Sequence, residues 1–166
     1  MELTPILPQD TKILQRLLTD RTIGKTYMLP DYQDPQLALP LVERMIQLSR
    51  DPDRFVRAIR LQGQMIGFLN DPEIQNGCIE LGYVIDPDKH NHGYMTRALR
   101  LAIGHLLAQG YHMVKAGAFE HNAASLRVME KAGMHRIDYT DYVEYHGVSH
   151  RCIYYAITKD EYHAEV

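Results

Sequence analysis

The segment from Ile79 to Leu99 constrains the fold more than any other, because it predicts a strand, a glycine-containing loop and a helix in succession. Alternating apolar residues up to Ile85 predict the strand, and Asp86-Pro87 ends it. Gly93 lies in the polar loop that follows, and apolar residues at helical spacing come after it. The unpaired N–H groups and the dipole at a helix N-terminus favour an anion. The segment therefore predicts a binding site for a phosphate-containing ligand.

Two sequence motifs resemble those of the GNAT acyl-CoA N-acyltransferases. The first consists of Glu80-Leu-Gly-Tyr, the loop, and Gly93-Tyr-Met-Thr-Arg-Ala-Leu, and the second is Asn122-Ala-Ala-Ser-Leu-Arg-Val-Met-Glu-Lys-Ala-Gly-Met. The second is similar to the Asn-x-x-Ser … Glu-Lys-x-Gly-Phe segment of the RimJ/RimL-type branch, which contains ribosomal-protein and small-molecule N-acetyltransferases. The first motif departs from the family pattern at two positions, because His90 replaces the usual Gln or Arg and Met95 replaces a small residue.

The resemblance implies an α+β fold of the GNAT type, with a mixed, mostly antiparallel central sheet of about six to seven strands flanked by about four helices. At 166 residues the chain is long enough for one compact domain with its own core. We expect a single domain over residues 1–158 and a short charged tail, frayed or disordered, over residues 159–166.

Periodicity and turn residues predict the individual elements. Helices are expected at residues 11–18, at 34–49, from the glycine loop to Gly110, and at 122–133, where Asn122 is the N-cap and Gly133 the left-handed C-terminal residue. Strands are expected at residues 55–61, 64–69, 78–85, 112–119, 135–145 and 149–157, and tight turns at Gln62-Gly63, Asn76-Gly77 and His146-Gly147.

Composition excludes several classes of protein. The formal charge of −3 argues against broad nucleic-acid binding, and no apolar run approaches the length of a membrane span. The N-terminal residues lack the basic and apolar regions of a signal peptide. Cys78 and Cys152 are far apart in predicted strands and lack metal-type spacing, which is typical of reduced core thiols. We expect a cytoplasmic monomer or homodimer that binds neither nucleic acid nor membrane.

The resemblance implies acetyl-CoA as the acyl donor, with its pyrophosphate held by backbone N–H groups of the loop and its pantetheine arm reached by the amide of Asn122. Met95 either folds into the core or narrows the pyrophosphate site, and the sequence leaves both outcomes open. His90 and His92 lend positive charge only when protonated, and without a third ligand nearby we expect no metal. The expected cofactor-binding residues are Val84, Ile85, His90, Asn91, His92, Gly93, Tyr94, Met95, Thr96, Asn122 and Ser125.

Catalysis requires a base for the amine and an acid for the departing thiolate. The resemblance implies Ser125 as the acid near the thioester sulfur, with Tyr154 on the last strand as the alternative. Glu80 and Glu144 are the two candidate bases, and each is equally explained as a solvated strand residue. A partly buried carboxylate would suit the role best, since burial raises its pKa. The resemblance narrowly favours Glu144, because a gapless count from the second motif places it on the Glu before the final hairpin that takes this role in the RimJ/RimL-type branch.

These features predict an N-acetyltransferase that moves an acetyl group directly from acetyl-CoA to a primary amine, either a protein N-terminal α-amine or a small molecule. One alternative is a non-catalytic acyl-CoA-binding or regulatory module on the same fold, and another is a polyamine or aminoglycoside acetyltransferase. Acceptor specificity is expected in the loop at 22–32 and in the last hairpin. There, Tyr27, Met28 and Tyr32 either line an aromatic cleft or belong to the core.

Overall fold

The computed structural model describes residues 1–162 of the chain, and its helices and strands follow the predicted order with one added strand. The α-helices are α1 (Thr11–Leu18), α2 (Leu39–Leu48), α3 (Tyr94–Gln109) and α4 (Ala123–Lys131). The strands are β1 (Glu2–Thr4), β2 (Arg57–Leu61), β3 (Gln64–Gln75), β4 (Cys78–Ile85), β5 (Met113–Phe119), β6 (His135–Tyr145) and β7 (Val148–Thr158).

The strands form one seven-stranded sheet in the order β1-β2-β3-β4-β5-β7-β6. Strands β4 and β5 pair in parallel, whereas β1 with β2, β2 with β3, β5 with β7 and β6 with β7 pair antiparallel. Helix α3 is the connection between the two parallel strands, as such a crossover requires. The predicted α+β fold with a mixed sheet and four helices is therefore confirmed.

All three predicted tight turns have left-handed backbone at both central residues. The φ angles are 52° and 79° at Gln62-Gly63, 51° and 73° at Asn76-Gly77, and 49° and 73° at His146-Gly147. Two successive positive φ angles are typical of the turn type that matches the twist of an antiparallel hairpin. These turns set the register of the β2–β3 and β6–β7 hairpins.

The chain divides into two compact units. The first unit contains residues 1–71 and 83–94. Its core is formed by the apolar faces of α1 and α2 together with residues from β2, β3 and β4. The fully buried or nearly buried members include Leu14, Leu17, Leu18, Val42, Ala58, Phe68 and Val84.

The second unit contains residues 72–82 and the chain from Met95 onward. Helix α3 has a buried stripe with helical periodicity. Strand β5 buries Val114, Ala116 and Phe119, and β7 is buried from Cys152 to Ile157 except at the half-buried Tyr154. The buried residues of α3 are Met95, Ala98, Leu99, Ala102, Ile103, Leu106 and Leu107. Gly133 follows α4 with a φ of 94°, the left-handed conformation predicted for it.

The structure differs most from the predicted elements in three places. Strand β1 was not predicted, because three residues are too few to show alternation. Strand β3 continues to Gln75 although its last four residues are exposed. The predicted helix at 34–49 begins as a 3₁₀ turn at Pro35–Ala38, capped by the Asp34 carboxylate, which accepts the N–H of Gln36 at 2.9 Å.

The predicted tail is partly ordered. The N–H of Tyr162 donates to the carbonyl of Thr158 at 3.0 Å, and Glu161 accepts from both the N–H and the hydroxyl of Thr158. Residues 159–162 of the expected tail thus form a hydrogen-bonded turn, and residues 163–166 lie outside the described part. Within residues 1–162, no helix is both long enough and apolar enough to cross a membrane.

Candidate active site

The loop after β4 is built on Asp86, which belongs to the first unit. The Asp86 carboxylate accepts the N–H of Asp88 at 3.1 Å and so caps the 3₁₀ turn Pro87–Lys89. Left-handed backbone follows at Asn91 (φ 61°) and Gly93 (φ 73°), and α3 begins at Tyr94. Such alternation turns successive N–H groups toward one side, and the first N–H groups of a helix have no partner within it. The loop has the backbone geometry of an anion-binding site.

The side chains of this loop face solvent or one another. His90, Asn91 and His92 are exposed. The Nδ1 atom of His92 lies 2.6 Å from the carbonyl oxygen of His90, which requires Nδ1 to carry the proton. The His92 ring also stacks on Tyr94, with centroids 5.4 Å apart. His92 therefore helps to order the loop.

The structure separates the two outcomes left open for Met95. Met95 is only 6% exposed and lies among the buried apolar residues of α3. Its side chain folds into the core, while its position in the first turn of α3 keeps its N–H at the helix start. Val84 is buried, whereas Ile85 and Thr96 are half-buried.

In the second unit, the ladder between β4 and β5 is short. It runs from Cys78 opposite Met113 to Glu80 opposite Lys115. Within the described residues, β5 continues to Phe119 without a partner on β4, although its other edge stays paired with β7. On that edge of β5, the backbone N–H and C=O groups beyond Lys115 therefore have no ladder partner on β4, and such groups require another hydrogen-bond partner or water.

A charged cluster lies where that ladder ends. The Lys115 ammonium is 2.6 Å from Glu73 Oε2 and 3.2 Å from Glu80 Oε2. Burial raises the pKa of Glu80 above its ordinary value, and the nearby Lys115 cation opposes this increase. Burial lowers the pKa of Lys115, but its bond to Glu73 and the two carboxylate charges outweigh burial and raise it. Lys115 is therefore a fixed cation, and Glu80 is a carboxylate with raised basicity.

Tyr154 lies on the same face of the sheet as this cluster. Lys115 lies opposite Ala156, and Gly117 lies opposite Tyr154. Because residues two apart on a strand point to the same side, Lys115 and Tyr154 share one face of the sheet. The Tyr154 ring packs over Gly117 and lies 5.0 Å from the ring of Tyr139. Burial, followed by the charge of Glu80, raises the pKa of Tyr154 to about 12, so its hydroxyl stays protonated and is a hydrogen-bond donor.

Asn122 and Ser125 begin helix α4, as the second motif predicts. The side-chain oxygen of Asn122 accepts the N–H of Ser125 at 3.2 Å, which confirms Asn122 as the helix cap. Capping uses the oxygen of this amide and leaves its NH₂ group as a donor. Ser125 is half-buried in the first turn.

Glu144 lies on the other face of the β6–β7 hairpin. Cys152 and Tyr154 are two residues apart on β7, so their side chains share one face, and Asp141 lies opposite Cys152 on that face. Glu144 lies opposite Ser149, an odd number of residues from Tyr154, and is therefore on the opposite face. A base of this kind is expected to be partly buried. Glu80 meets this expectation, whereas Glu144, the base favoured from the sequence, is exposed. The structure brings Glu80 and Tyr154 to one face and does not bring Glu144 to it.

The tyrosines of the loop at 22–32 pack against the core of the first unit. The Tyr27 hydroxyl donates to Asn70 Oδ1 at 2.8 Å, and its ring meets Phe68 edge-on at 5.8 Å. Tyr32 also packs against the core, whereas Met28 is 53% exposed. The core alternative is therefore correct for the two tyrosines.

Sequence reasoning missed Lys115, Glu73 and Gly117. Lys115 meets Glu80 only through the register of two parallel strands joined by α3, which no local spacing reveals. Gly117 did carry a recognisable pattern, because a glycine inside a predicted strand indicates a close approach by another group. Both cysteines are free, and within residues 1–162 no group of three or more His, Cys, Asp or Glu side chains is arranged to hold a metal.

Comparison with known proteins identifies a family. The model of the acetyltransferase (GNAT) domain matches residues 1–135. The probable N-acetyltransferase YjcK of Bacillus subtilis (strain 168) is 32% identical over 77 residues, which are 44% of this chain and 42% of that protein. The chain thus spans less than half the length of this curated relative.

Solved structures share the fold. RimL, a ribosomal L7/L12 α-N-protein acetyltransferase in complex with coenzyme A, superposes with a TM-score of 0.84 at 20% identity, covering 96% of this chain and 94% of RimL. Spermidine N-acetyltransferase from Vibrio cholerae, in complex with CoA and spermine, has a TM-score of 0.81 at 15% identity, with 96% of both chains covered.

Proposed function

The chain belongs to the GNAT acetyltransferase family, and from this membership we propose that it transfers an acetyl group from acetyl-CoA directly to a primary amine. The observation that carries the proposal is the face of the second unit on which Glu80, Lys115 and Tyr154 lie, just where the β4–β5 ladder ends. This face provides the Glu80 carboxylate, whose pKa is raised, and the protonated Tyr154 hydroxyl. Both lie beside the part of β5 that has no ladder partner on β4.

Binding of the donor is proposed for two sets of groups. The N–H groups of residues 90–96 suit the pyrophosphate, because they combine left-handed loop backbone with a helix N-terminus. The unpaired edge of β5 beyond Lys115 and the NH₂ group of Asn122 suit the amides of the pantetheine arm. Acetyl-CoA supplies an activated thioester carbonyl, and these protein groups orient it.

For the chemistry we propose Glu80 as the base. An amine attacks only when it is unprotonated, and a carboxylate whose pKa is raised by burial accepts the ammonium proton, directly or through one water. The amine nitrogen then forms the bond to the acetyl carbon and loses its second proton to water, and the carbon–sulfur bond breaks. The departing thiolate takes a proton from the Tyr154 hydroxyl, with Ser125 as the alternative donor and bulk water restoring the proton.

A cationic acceptor suits the charge of this face. Glu73 and Glu80 place two carboxylates around one lysine, so the cluster keeps a net negative charge. An ammonium group is attracted to such a site before it loses its proton. RimL acts on a protein N-terminus and the Vibrio cholerae enzyme on spermidine, so both a protein α-amine and a small polyamine belong in the acceptor panel.

The test is turnover with a panel of amines. Purified protein is incubated with acetyl-CoA and with N-terminal peptides, spermidine, spermine or aminoglycosides, and acetylated product is measured by mass spectrometry. We expect acetyl transfer to at least one amine and loss of about 10²-fold in kcat for Tyr154→Phe. CoA binding by calorimetry without turnover on any amine would instead identify a non-catalytic acyl-CoA-binding module.

A further inference from the structure

Arg16 of α1 contacts the residue at which the proposed pyrophosphate loop begins. Its Nη1 lies 3.4 Å from Asp86 Oδ1, and its Nη2 donates to Asp86 Oδ2, so the pairing uses both carboxylate oxygens. The Asp86 side chain is 9% exposed, whereas that of Arg16 is 48% exposed. All of these residues belong to the first unit.

Every polar group of Asp86 is engaged. Its N–H donates to the carbonyl of Ile66 at 2.8 Å, its carbonyl accepts from Lys89 at 2.8 Å, and its Oδ1 accepts from Asp88 at 3.1 Å. The orientation of the carboxylate therefore sets the turn from which residues 90–93 extend. Arg16 is the cation that holds this carboxylate from outside the loop.

We propose that Arg16 is a positioning residue for the loop at 86–94, because its bidentate pair with Asp86 fixes the direction in which the loop presents its N–H groups. This inference rests on the proposed function, in which those N–H groups bind the pyrophosphate of CoA. A planar guanidinium gives such a pair a defined geometry that a lysine lacks.

The charges around the pair agree with an ion pair at neutral pH. The hydrogen bond between Arg16 and Asp86 lowers the pKa of Asp86 and raises the pKa of Arg16. The charge of Lys89 also lowers the pKa of Asp86, and the charges of Asp88 and Asp20 also raise that of Arg16. The Arg16 guanidinium is half-exposed although the Asp86 carboxylate is buried, so solvent screens part of what the pair contributes to global stability. Removal of Arg16 is therefore expected to act on the loop more than on unfolding.

The chain offers a matched control in the pair of Arg54 and Asp71. Arg54 Nε lies 2.8 Å from Asp71 Oδ2, and its Nη2 lies 2.9 Å from Oδ1. Asp71 also accepts the N–H of Phe55 at 2.9 Å and has a fully buried side chain. This pair has the same chemistry in the same unit, but it involves no residue of the loop.

The experiment compares Arg16→Gln, Arg16→Lys and Arg54→Gln with the unchanged protein. Calorimetry is expected to show CoA binding weakened about tenfold by Arg16→Gln, the factor for loss of one charge-assisted hydrogen bond, and less by Arg16→Lys. The KM for acetyl-CoA is expected to rise while kcat at saturation stays constant. Arg54→Gln is expected to lower the melting temperature and leave CoA binding within about twofold.

Two further measurements isolate the mechanism. If Arg16 acts through Asp86, Arg16→Gln has no additional effect on CoA binding in an Asp86→Asn background, whereas a direct contact between Arg16 and phosphate preserves the effect and overturns the proposal. Hydrogen exchange without cofactor is expected to show faster exchange at Asp88, Lys89 and His90 in Arg16→Gln.

Failure of this inference is distinguishable from failure of the proposed function. If the unchanged protein does not bind CoA, the proposed function is wrong, and the exchange rates alone decide whether Arg16 holds the loop. Unchanged exchange at residues 88–90 in folded Arg16→Gln protein overturns the inference. Equal weakening of CoA binding by Arg16→Gln and Arg54→Gln also overturns it, because the weakening would then result from a general loss of protein stability.

Discussion

The ring of Tyr154 occupies the space that a side chain at position 117 would need. A Cβ atom on Gly117 would lie 2.6 Å from Cε1 and 2.9 Å from Cδ1 of the Tyr154 ring. These distances are far below van der Waals contact, so only glycine at 117 permits the observed position of the ring. Gly117 thereby leaves room for the Tyr154 ring over β5, on the face that carries Glu80.

We expect Gly117→Ala to lower kcat by about tenfold or more through displacement of Tyr154, at a stability cost of about 1–3 kcal/mol from overpacking. Steady-state kinetics and thermal unfolding measure the two effects. The control is the same substitution in a Tyr154→Phe background. If Gly117 acts through the hydroxyl, the double variant is no slower than Tyr154→Phe alone, and additive losses of kcat would contradict this account.

The Lys115 cation is expected to tune the pH profile through Glu80. Burial raises the pKa of Glu80 from 4.5, and Lys115 limits that increase. A base must be ionised, so activity falls as the pH decreases through the pKa of Glu80. Lys115→Met removes the opposing charge and raises this pKa further, and the acidic limb of kcat/KM is expected to move to higher pH by about one unit.

Glu73→Gln provides the opposite perturbation. The Glu73 charge raises the pKa of Glu80, and Glu73 also shares the Lys115 ammonium. Its neutralisation is expected to move the same limb to lower pH, because Lys115 then serves Glu80 alone. Shifts of equal sign in the two variants, or no shift in either, would rule out Glu80 as the titrating base.

The two candidate bases are distinguished by separate Glu→Gln substitutions. Glu80→Gln is expected to lower kcat/KM by about 10²-fold and to abolish the acidic limb, because the amide accepts no proton. Glu144→Gln is expected to leave kcat/KM within about twofold, since Glu144 is exposed on the other face of the hairpin. The reverse pattern of losses would restore Glu144 as the base.

Local sequence patterns predicted most of the fold and part of the candidate site. Asn122 and Gly133 were predictable because helix ends require a side-chain acceptor at one end and left-handed backbone at the other. The loop around Gly93 was predictable for the same kind of local reason. Each of these features depends on residues adjacent in sequence.

The missed features depend on register between distant strands. The contact of Lys115 with Glu80 follows from a parallel pairing across α3, and the register of β6 shifts between Arg136 and Thr140. A gapless count along the sequence cannot show which face of the hairpin Glu144 occupies, because a shift of one residue reverses the face. The choice between the two carboxylates therefore required the three-dimensional structure.

The last prediction concerns Gly67, where β3 approaches the end of β4 within the first unit. A Cβ at this position would lie 2.3 Å from the carbonyl oxygen of Val84 and 3.0 Å from the Cα of Ile85, both backbone atoms that cannot rotate away. Gly67→Ala must therefore displace the strand end just before Asp86, and we expect a loss of about 1–3 kcal/mol of stability or more. We also expect weaker CoA binding, because the loop starts at the displaced residue.

Gly63→Ala is the control, since no atom lies within 4 Å of its Cβ and only its φ of 79° opposes the substitution. Chemical denaturation and calorimetry on both variants measure the difference, and equal stability losses with equal CoA affinity would contradict the steric explanation.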